Sequence, residues 1–266
     1  MPELPEVQTV VDGLNNKVLG REIESLEDIR LGTVQYFIEE DIDLGKIQQV
    51  ERQGKYILLH TSAKLILLVH LRMTGKLVFE PDHTIEPGKH VTATINFNDG
   101  TRLIFDDVRT FGKIQIYNET DSIPSLQKLG VEPLSKSFDD NYLKNILRKK
   151  SAPIKNVLLD QHLVAGLGNI YVAEILFRAG IIPQREANKV TKSEIKKIVV
   201  HTKDVLKEAL LHNGTTISDY RSIDDKTGEF QNFLRVYQKK TCSCGAEIKN
   251  VKLAGRSSFY CEKCQK

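Results

Sequence analysis

The sequence predicts an α+β chain in two parts, β-rich first and helical second, closed by a small metal-stapled module. Three observations carry this. Residues 22–117 are mostly short runs of β-branched and aliphatic residues bounded by turn formers. From residue 139 to residue 212 apolar residues recur instead at helical spacing. All four cysteines fall within the last 25 residues of a 266-residue chain, a length typical of two domains. Hydrophobic content of 40% and charged content of 27% are those expected of an ordinary soluble protein. No stretch of about 18 apolar residues is present, so no membrane span is expected. The start lacks a basic segment followed by an apolar run, which makes a cytoplasmic protein the expectation.

In chain order, Val7, Val10, Val11, Leu14 and Val18 mark an amphipathic helix over residues 5–17, stopped by Gly20. Strand-like runs follow at Tyr56 to His60, Lys64 to His70 and Lys76 to Phe79. Val91, Ala93, Ile95 and Phe97 alternate with polar residues, and Asn98-Asp99-Gly100 then signals a hairpin toward Leu103 and Phe105. Ile114, Ile116 and Tyr117 close the β-rich part, which sets a first domain at 1–117. Residues 118–137, rich in Ser, Pro, Asn and Asp, read as a linker. Helices are expected over 139–149, over 152–161 with Pro153 in the first turn, and over 169–179. A long one is expected over 191–212, where Thr191-x-x-Glu194 is a capping box and Asn213-Gly214 a stop. These helices define a second domain at 138–237, and residues 238–266 form the cysteine module.

Chemistry is concentrated at the very start. Met1 precedes a small residue, so its removal would leave Pro2 as the N-terminus with a secondary amine. An α-amino group titrates near about 8, well below a lysine, and is partly unprotonated at neutral pH. Such an amine attacks an aldehyde-like carbon to form a Schiff base, and Glu3 places a carboxyl group one residue away. The competing reading is a proline-flanked tail ahead of a helix.

Cys242-Ser-Cys244 and Cys261-Glu-Lys-Cys264 are two close pairs sixteen residues apart, the pattern of one structural zinc held by a hairpin. The first pair is C-x-C rather than C-x-x-C, which makes Cys242 the weakest of the four expected ligands. Lys249, Lys252 and Arg256 between the pairs make the hairpin basic, as a polyanion partner requires. Upstream, Gln161 to Glu174 join two helices through Gly166 and Gly168, with Asn169 at a helix start where anions bind. Lys149, Lys150 and Lys155 lie just before it. Net charge is only +3, so any nucleic-acid surface must come from how the charge is distributed.

Taken together, Pro2-Glu3-Leu4-Pro5-Glu6, Gln53-Gly54-Lys55-Tyr56, His70 to Lys76, Asp107 to Gly112, Gly166 to Tyr171, Gly214-Thr215-Thr216 and Gly255-Arg256 resemble the bacterial formamidopyrimidine-DNA glycosylase family, in order and along essentially the whole chain. Leu4, where relatives acting on oxidised pyrimidines tend to carry Gly, favours the oxidised-purine branch. The resemblance implies a β-sandwich flanked by helices, then a helix–two-turn–helix domain ending in the zinc hairpin. Damaged duplex DNA would bind between the domains of a monomer. It implies a bifunctional glycosylase and lyase for 8-oxoguanine and formamidopyrimidines, with Pro2 as nucleophile, Glu3 as general acid, Lys55 for β-elimination and Arg256 for δ-elimination. Met73, Arg109 and Phe111 match the trio that fills the gap left by the everted base. His70, His90, Lys150, Lys155 and Asn169 match or lie near DNA-contacting positions. Glu6, Thr215, Thr216 and Tyr220 are expected around the everted base, the last three in a loop spanning 215–231. Two alternatives remain at this point: a relative preferring oxidised pyrimidines, and a protein that binds abasic or distorted DNA without excising.

Overall fold

A computed structural model describes residues 1–39, 42–82, 88–216, 223 and 227–266. The first helix, α1 (Leu4–Val18), buries Val7, Val10, Val11, Leu14 and Val18 on one face, as its spacing requires. Strands follow in order: β1 (Ile23–Glu27), β2 (Val34–Tyr36), β3 (Ile47–Gln53), β4 (Tyr56–Thr61), β5 (Leu65–His70), β6 (Lys76–Glu80), β7 (Val91–Phe97), β8 (Arg102–Asp106) and β9 (Lys113–Asn118). Two sheets form, one ordered β1-β7-β8-β6 and one ordered β2-β9-β5-β4-β3. One apolar cluster joins Ala93, Ile95, Phe97, Leu103 and Phe105 of the first sheet to Ile57, Leu59, Leu67, Val69 and Ile116 of the second, with the buried face of α1. This is a sandwich core with a helix added to it.

Strand β7 departs from its sequence pattern. Its alternation suggests one wet face, yet all seven residues are buried. The strand is central, between β1 and β8, and its polar side chains are satisfied by neighbours. Thr92 Oγ1 donates to Phe105 O (3.1 Å), Thr94 Oγ1 to Glu27 Oε2 (3.3 Å), and Asn96 Nδ2 to Ser25 Oγ and Glu27 Oε1 (2.9 and 2.8 Å). A buried polar face is tolerated when every group on it is paired.

The expected linker contains a short helix, α2 (Pro124–Gln127). Leu126 within it packs with Ile123 on the outer face of β4, β5 and β9, through Leu58, Ile66, Leu68 and Tyr117. The compact units divide differently from the sequence boundaries. Met1–Gln127 cluster with His212–Glu229, and Lys128–Leu211 with Phe230–Lys266. Residues 212–229 join the first unit because Glu6 takes the Thr215 N–H and Phe79 N donates to Ile223 O (3.1 Å).

The second unit holds α3 (Asp140–Leu147), α4 (Ile154–Leu159), α5 (Asn169–Ala179) and α6 (Lys192–Leu211). Asp139 caps α3 by accepting from Tyr142 N at 2.7 Å. The α4 helix is shorter than the sequence suggests, and Pro153 sits at its N-cap rather than inside its first turn. Thr191 and Glu194 form the expected capping box on α6 at 2.8 and 3.4 Å. Asn213 and Gly214 follow it with φ of 55° and 76°, left-handed values that end a helix. The chain closes on the hairpin β10 (Lys249–Leu253) and β11 (Arg256–Tyr260). Its two turn residues, Ala254 and Gly255, both have positive φ (46° and 76°), the signature of a type I′ turn. No described helix is long and apolar enough to cross a membrane.

Candidate functional site

Met1 is exposed, and Pro2 behind it is buried together with Glu3 and Glu6. Glu6 organises this end. Its Oε2 accepts from Glu3 N at 2.8 Å and its Oε1 from Thr215 N at 2.6 Å. Gly214 lies so close that a Cβ there would come 2.7 Å from Glu6 Oε1, so only glycine permits the approach. Gly228 N in turn donates to Thr216 Oγ1 at 2.8 Å, which ties the two ends of the loop beyond residue 216 together. Tyr220 lies outside the described residues.

Register brings the next groups to one end of the five-stranded sheet. Gln53 pairs with Tyr56 across the Gly54-Lys55 turn, Tyr56 with His70, and His70 with Lys113. Lys55, His70, Arg72 and Lys113 therefore collect at one edge. Lys55 is buried (7% exposed). Arg52 holds its turn, donating to Gly54 O (2.8 Å) and to Gln8 Oε1 on α1 (2.9 Å). Asn15 meets Val50 O at 3.0 Å further along, so α1 runs antiparallel to β3 and its start points toward Lys55. Sequence reading assigns Arg52 no role, because Gln8 lies 44 residues away.

His70 sits edge-on to Tyr56 (4.6 Å between rings), and its Nδ1 accepts from Arg72 N at 2.9 Å. Burial, then the nearby Arg72 and Lys55 charges, lower its pKa to about 3. The ring is neutral at physiological pH, and with Nδ1 accepting, the proton resides on Nε2, where it can be donated to an anion.

Met73, Arg109 and Phe111 meet at the surface. Arg109 Nη1 lies 3.0 Å from Met73 Sδ, and its guanidinium lies 4.8 Å over the Phe111 ring. Met73 is 43% and Phe111 51% exposed, so an apolar pair and a multiple donor stand together facing solvent. His90, half-buried, gives its carbonyl to Asp107 N (2.9 Å).

In the second unit Lys155 is 1% exposed, and its Nζ donates to Ser257 O (2.7 Å) and Ser258 Oγ (2.6 Å). Asn169, the first residue of α5, donates Nδ2 to the same Ser257 O at 3.0 Å. Both residues thereby clamp the strand that presents Arg256, which is exposed. Lys150 is exposed after α3. Gln161 braces the turn between α4 and α5, accepting from Gly166 N (3.0 Å) and donating to Leu167 O (2.8 Å). Glu174, fully buried, accepts the N–H groups of Arg235, Val236 and Tyr237, each at 2.9 Å. A carboxylate in a helix pattern gives no sequence sign of that task.

The four cysteine sulfurs lie within 4.8 Å of one another. Cys242 Sγ is 3.7 Å from Cys264 Sγ, and Cys244 Sγ is 3.6 Å from Cys261 Sγ. A zinc tetrahedron with Zn–S near about 2.3 Å has edges of about 3.8 Å, so the donor set fits the ion, Cys242 included. A hydrogen bond from the Ala246 backbone lowers the Cys244 thiol to about 7, whereas burial raises Cys261 and the neighbouring thiols push Cys264 up to about 12, as four thiols sharing one small volume without a cation require. The C-x-C spacing is accommodated by a turn in which Gly245 N donates to Cys242 O (2.9 Å) and Cys242 N to Ala246 O (2.8 Å).

Three family models match. Residues 1–114 match the formamidopyrimidine-DNA glycosylase N-terminal domain, 129–221 its H2TH domain, and 243–266 a zinc finger found in FPG and IleRS. The chain is 39% identical to a formamidopyrimidine-DNA glycosylase of Desulforamulus reducens and 41% identical to one of Pelotomaculum thermopropionicum, over 100% of this chain and 99% of each relative. Among solved structures, a Lactococcus lactis FPG mutant in complex with Fapy-dG containing DNA superposes with a TM-score of 0.93 at 37% identity, covering 100% of both chains. The Lactococcus lactis protein with abasic-site DNA gives 0.91 at 36% identity over 99% of both chains. The FPG protein of Thermus thermophilus gives 0.89 at 35% identity over 99% of this chain and 98% of that one.

Proposed function

Since the chain belongs to the formamidopyrimidine-DNA glycosylase family, we propose that its N-terminal proline is the nucleophile that removes oxidised purines from duplex DNA. It is a DNA glycosylase and abasic-site lyase for formamidopyrimidine lesions, with one structural zinc in its cysteine module. The proposal extends the substrate to 8-oxoguanine and assigns the chemistry to named side chains.

With Met1 removed, the Pro2 nitrogen attacks C1′ of the damaged nucleotide. The C1′–N bond to the base breaks, and the base leaves with a proton. Glu3, buried beside Pro2, is the acid that protonates the ring oxygen as the sugar opens to an iminium. The iminium acidifies C2′. Lys55, at the sheet edge toward which α1 points, takes that proton as the 3′ phosphate departs (β-elimination). Loss of the C4′ proton then expels the 5′ phosphate, which Arg256 at the hairpin tip meets (δ-elimination), and water frees the sugar remnant from Pro2. His70 Nε2–H, Lys150 and the Asn169 helix start hold phosphates. Met73, Arg109 and Phe111 enter the gap: two apolar wedges and a donor for the orphaned base. Glu6, Thr215, Thr216 and Tyr220 belong to the wall around the everted base. Lys155 acts on DNA through the hairpin strand it holds. The protein works as a monomer in the cytoplasm and is nucleoid-associated when bound.

The observation carrying this reading is the burial of Pro2 and Glu3 beside Glu6, just ahead of a helix whose start is directed at Lys55. The test is borohydride trapping on an 8-oxoguanine duplex, with intact mass confirming Met1 removal. A covalent adduct is expected, and its disappearance in Pro2→Gly. Tight binding without any adduct would leave the non-excising alternative, and preference for thymine glycol the oxidised-pyrimidine one.

A further inference from the structure

We propose that Asp107 is the positioning residue of the gap-filling wedge, setting Met73, Arg109 and Phe111 in their working arrangement before DNA arrives. This rests on the wedge assignment above. Asp107 is 1% exposed, whereas the wedge side chains face solvent. Its carboxylate fixes the backbone on which all three stand. Oδ1 accepts from Thr74 Oγ1, the neighbour of Met73, and from Arg109 N at 3.1 Å. Thr74 Oγ1 also accepts from Arg109 N (3.1 Å), so the two loops share one polar knot. Oδ2 accepts from Gly112 N at 2.7 Å, directly after Phe111. The main chain of Asp107 adds two bonds, from its N to His90 O (2.9 Å) and from Thr110 N to its O (3.1 Å).

Around this knot the backbone takes conformations it would not choose alone. Thr110, β-branched, has φ of 58°, and Arg72 has φ of 54°. Both loops also rest on one ring. A Cβ at Gly112 would come 2.3 Å from Phe105 Cζ, and one at Gly75 would come 2.8 Å from Phe105 Cε2. Strained backbone persists only where its surroundings over-determine it, and Asp107 supplies that surrounding on the polar side. The return is preorganisation. Ordering three side chains at the moment of insertion would weaken eversion, and a loop already set avoids this.

Three donors converge on the two carboxylate oxygens, so an acceptor-only group is required. Asn at 107 keeps the volume but turns an NH2 toward either Gly112 N–H or the Thr74–Arg109 pair. The experiment compares wild type, Asp107→Asn, Thr74→Val and Arg109→Ala in the full zinc-loaded chain. Single-turnover excision is measured on duplexes with 8-oxoguanine opposite each of the four bases. Borohydride adduct yield is measured in parallel on a duplex with a preformed abasic site, where no base must be expelled. Expected for Asp107→Asn is a loss of excision of roughly 30- to 300-fold and a flattened opposite-base ratio, with adduct yield on the abasic duplex within about threefold of wild type. Thr74→Val should shift the same two readouts in the same direction by about tenfold, and it decides the matter if Asp107→Asn does not fold. Unchanged excision in Arg109→Ala would overturn the wedge assignment itself. A defective Arg109→Ala beside Asp107→Asn and Thr74→Val with wild-type rates and base ratios would overturn the role of Asp107 alone. So would equal loss of excision and abasic trapping in the folded variants, which marks general damage.

Discussion

Glu6 Oε1 accepts the Thr215 backbone N–H at 2.6 Å, joining residues 209 positions apart in the chain. The other oxygen of the same carboxylate holds Glu3 N. One buried side chain thus fixes both the start of α1 behind Pro2, the proposed nucleophile, and the root of the loop that carries Thr215 and Thr216. Glu6→Gln keeps the shape but turns an NH2 toward one of those N–H groups. A buried donor left without an acceptor costs about 1–3 kcal/mol. The expected result is a loss of unfolding free energy of that size in urea, together with a loss of excision of about tenfold or more. Binding to undamaged duplex should be unchanged. Urea melts and single-turnover kinetics on the same preparation check both.

His70 gives the fold a definite pH response. Its pKa is lowered to about 3 by burial and the nearby cations, whereas in the unfolded chain it is near the ordinary 6.5. Between those values the unfolded state binds more protons, so stability rises with pH through that window. The contribution is fully present above about 6.5 and is lost as pH falls toward 3. The linkage amounts to about 2 kcal/mol by about pH 5. His70→Gln should flatten the stability-against-pH curve below that upper value, read from denaturation midpoints at about pH 7 and about pH 5. A variant with the wild-type slope would show that His70 is not the titrating group.

Four sulfurs within 4.8 Å of one another predict one zinc per chain by metal analysis of the purified protein. Cys242→Ser should release zinc to a chelator at concentrations the parent resists, because a closed structural site loses one of its four donors. Chelation should unfold the module around β10 and β11, seen as new proteolytic sensitivity after residue 238. It should leave the N-terminal unit's melting transition in place. A Cys242→Ser chain that retains full zinc against the chelator would return Cys242 to a packing role.

Lys155 Nζ donates to both Ser257 O and Ser258 Oγ, while Asn169 reaches only the carbonyl. Lys155→Met keeps the stem's packing and removes the donors. The cost is about 1–3 kcal/mol for the acceptors left in a dry site. Because the clamped strand presents Arg256, gel analysis of cleaved abasic duplex should show product shifting from the δ- toward the β-elimination fragment. Pro2-dependent trapping should persist. Parallel loss of both eliminations would instead place Lys155 in the first chemical step.

Some of this molecule is local in the chain and legible there. The adjacency of Pro2 and Glu3, the stripe on α1, the Thr191–Glu194 cap and the clustering of cysteines each involve residues a few positions apart. Spacing alone reveals which face is buried or which groups can share one ion. Other parts are decided only on folding. The polar face of β7 reads as solvated, yet Glu27 and Ser25 of a neighbouring strand cover it. Lys155 is expected at or near a DNA-contacting position, and only the fold shows its ammonium enclosed against the hairpin. Arg52 and Glu174 carry no local signal, because periodicity reports that a side chain is buried and not which distant group it holds. Asp107 opens a legible motif, yet its bond to Thr74, 33 residues away, appears only on folding. Strand register sets Lys55, His70 and Lys113 at one sheet edge, and register is a property of pairs of segments. The amino-acid order therefore determined the reactive groups and their nearest neighbours, while three-dimensional pairing determined which of them stand together, since each such pairing depends on two stretches of chain at once.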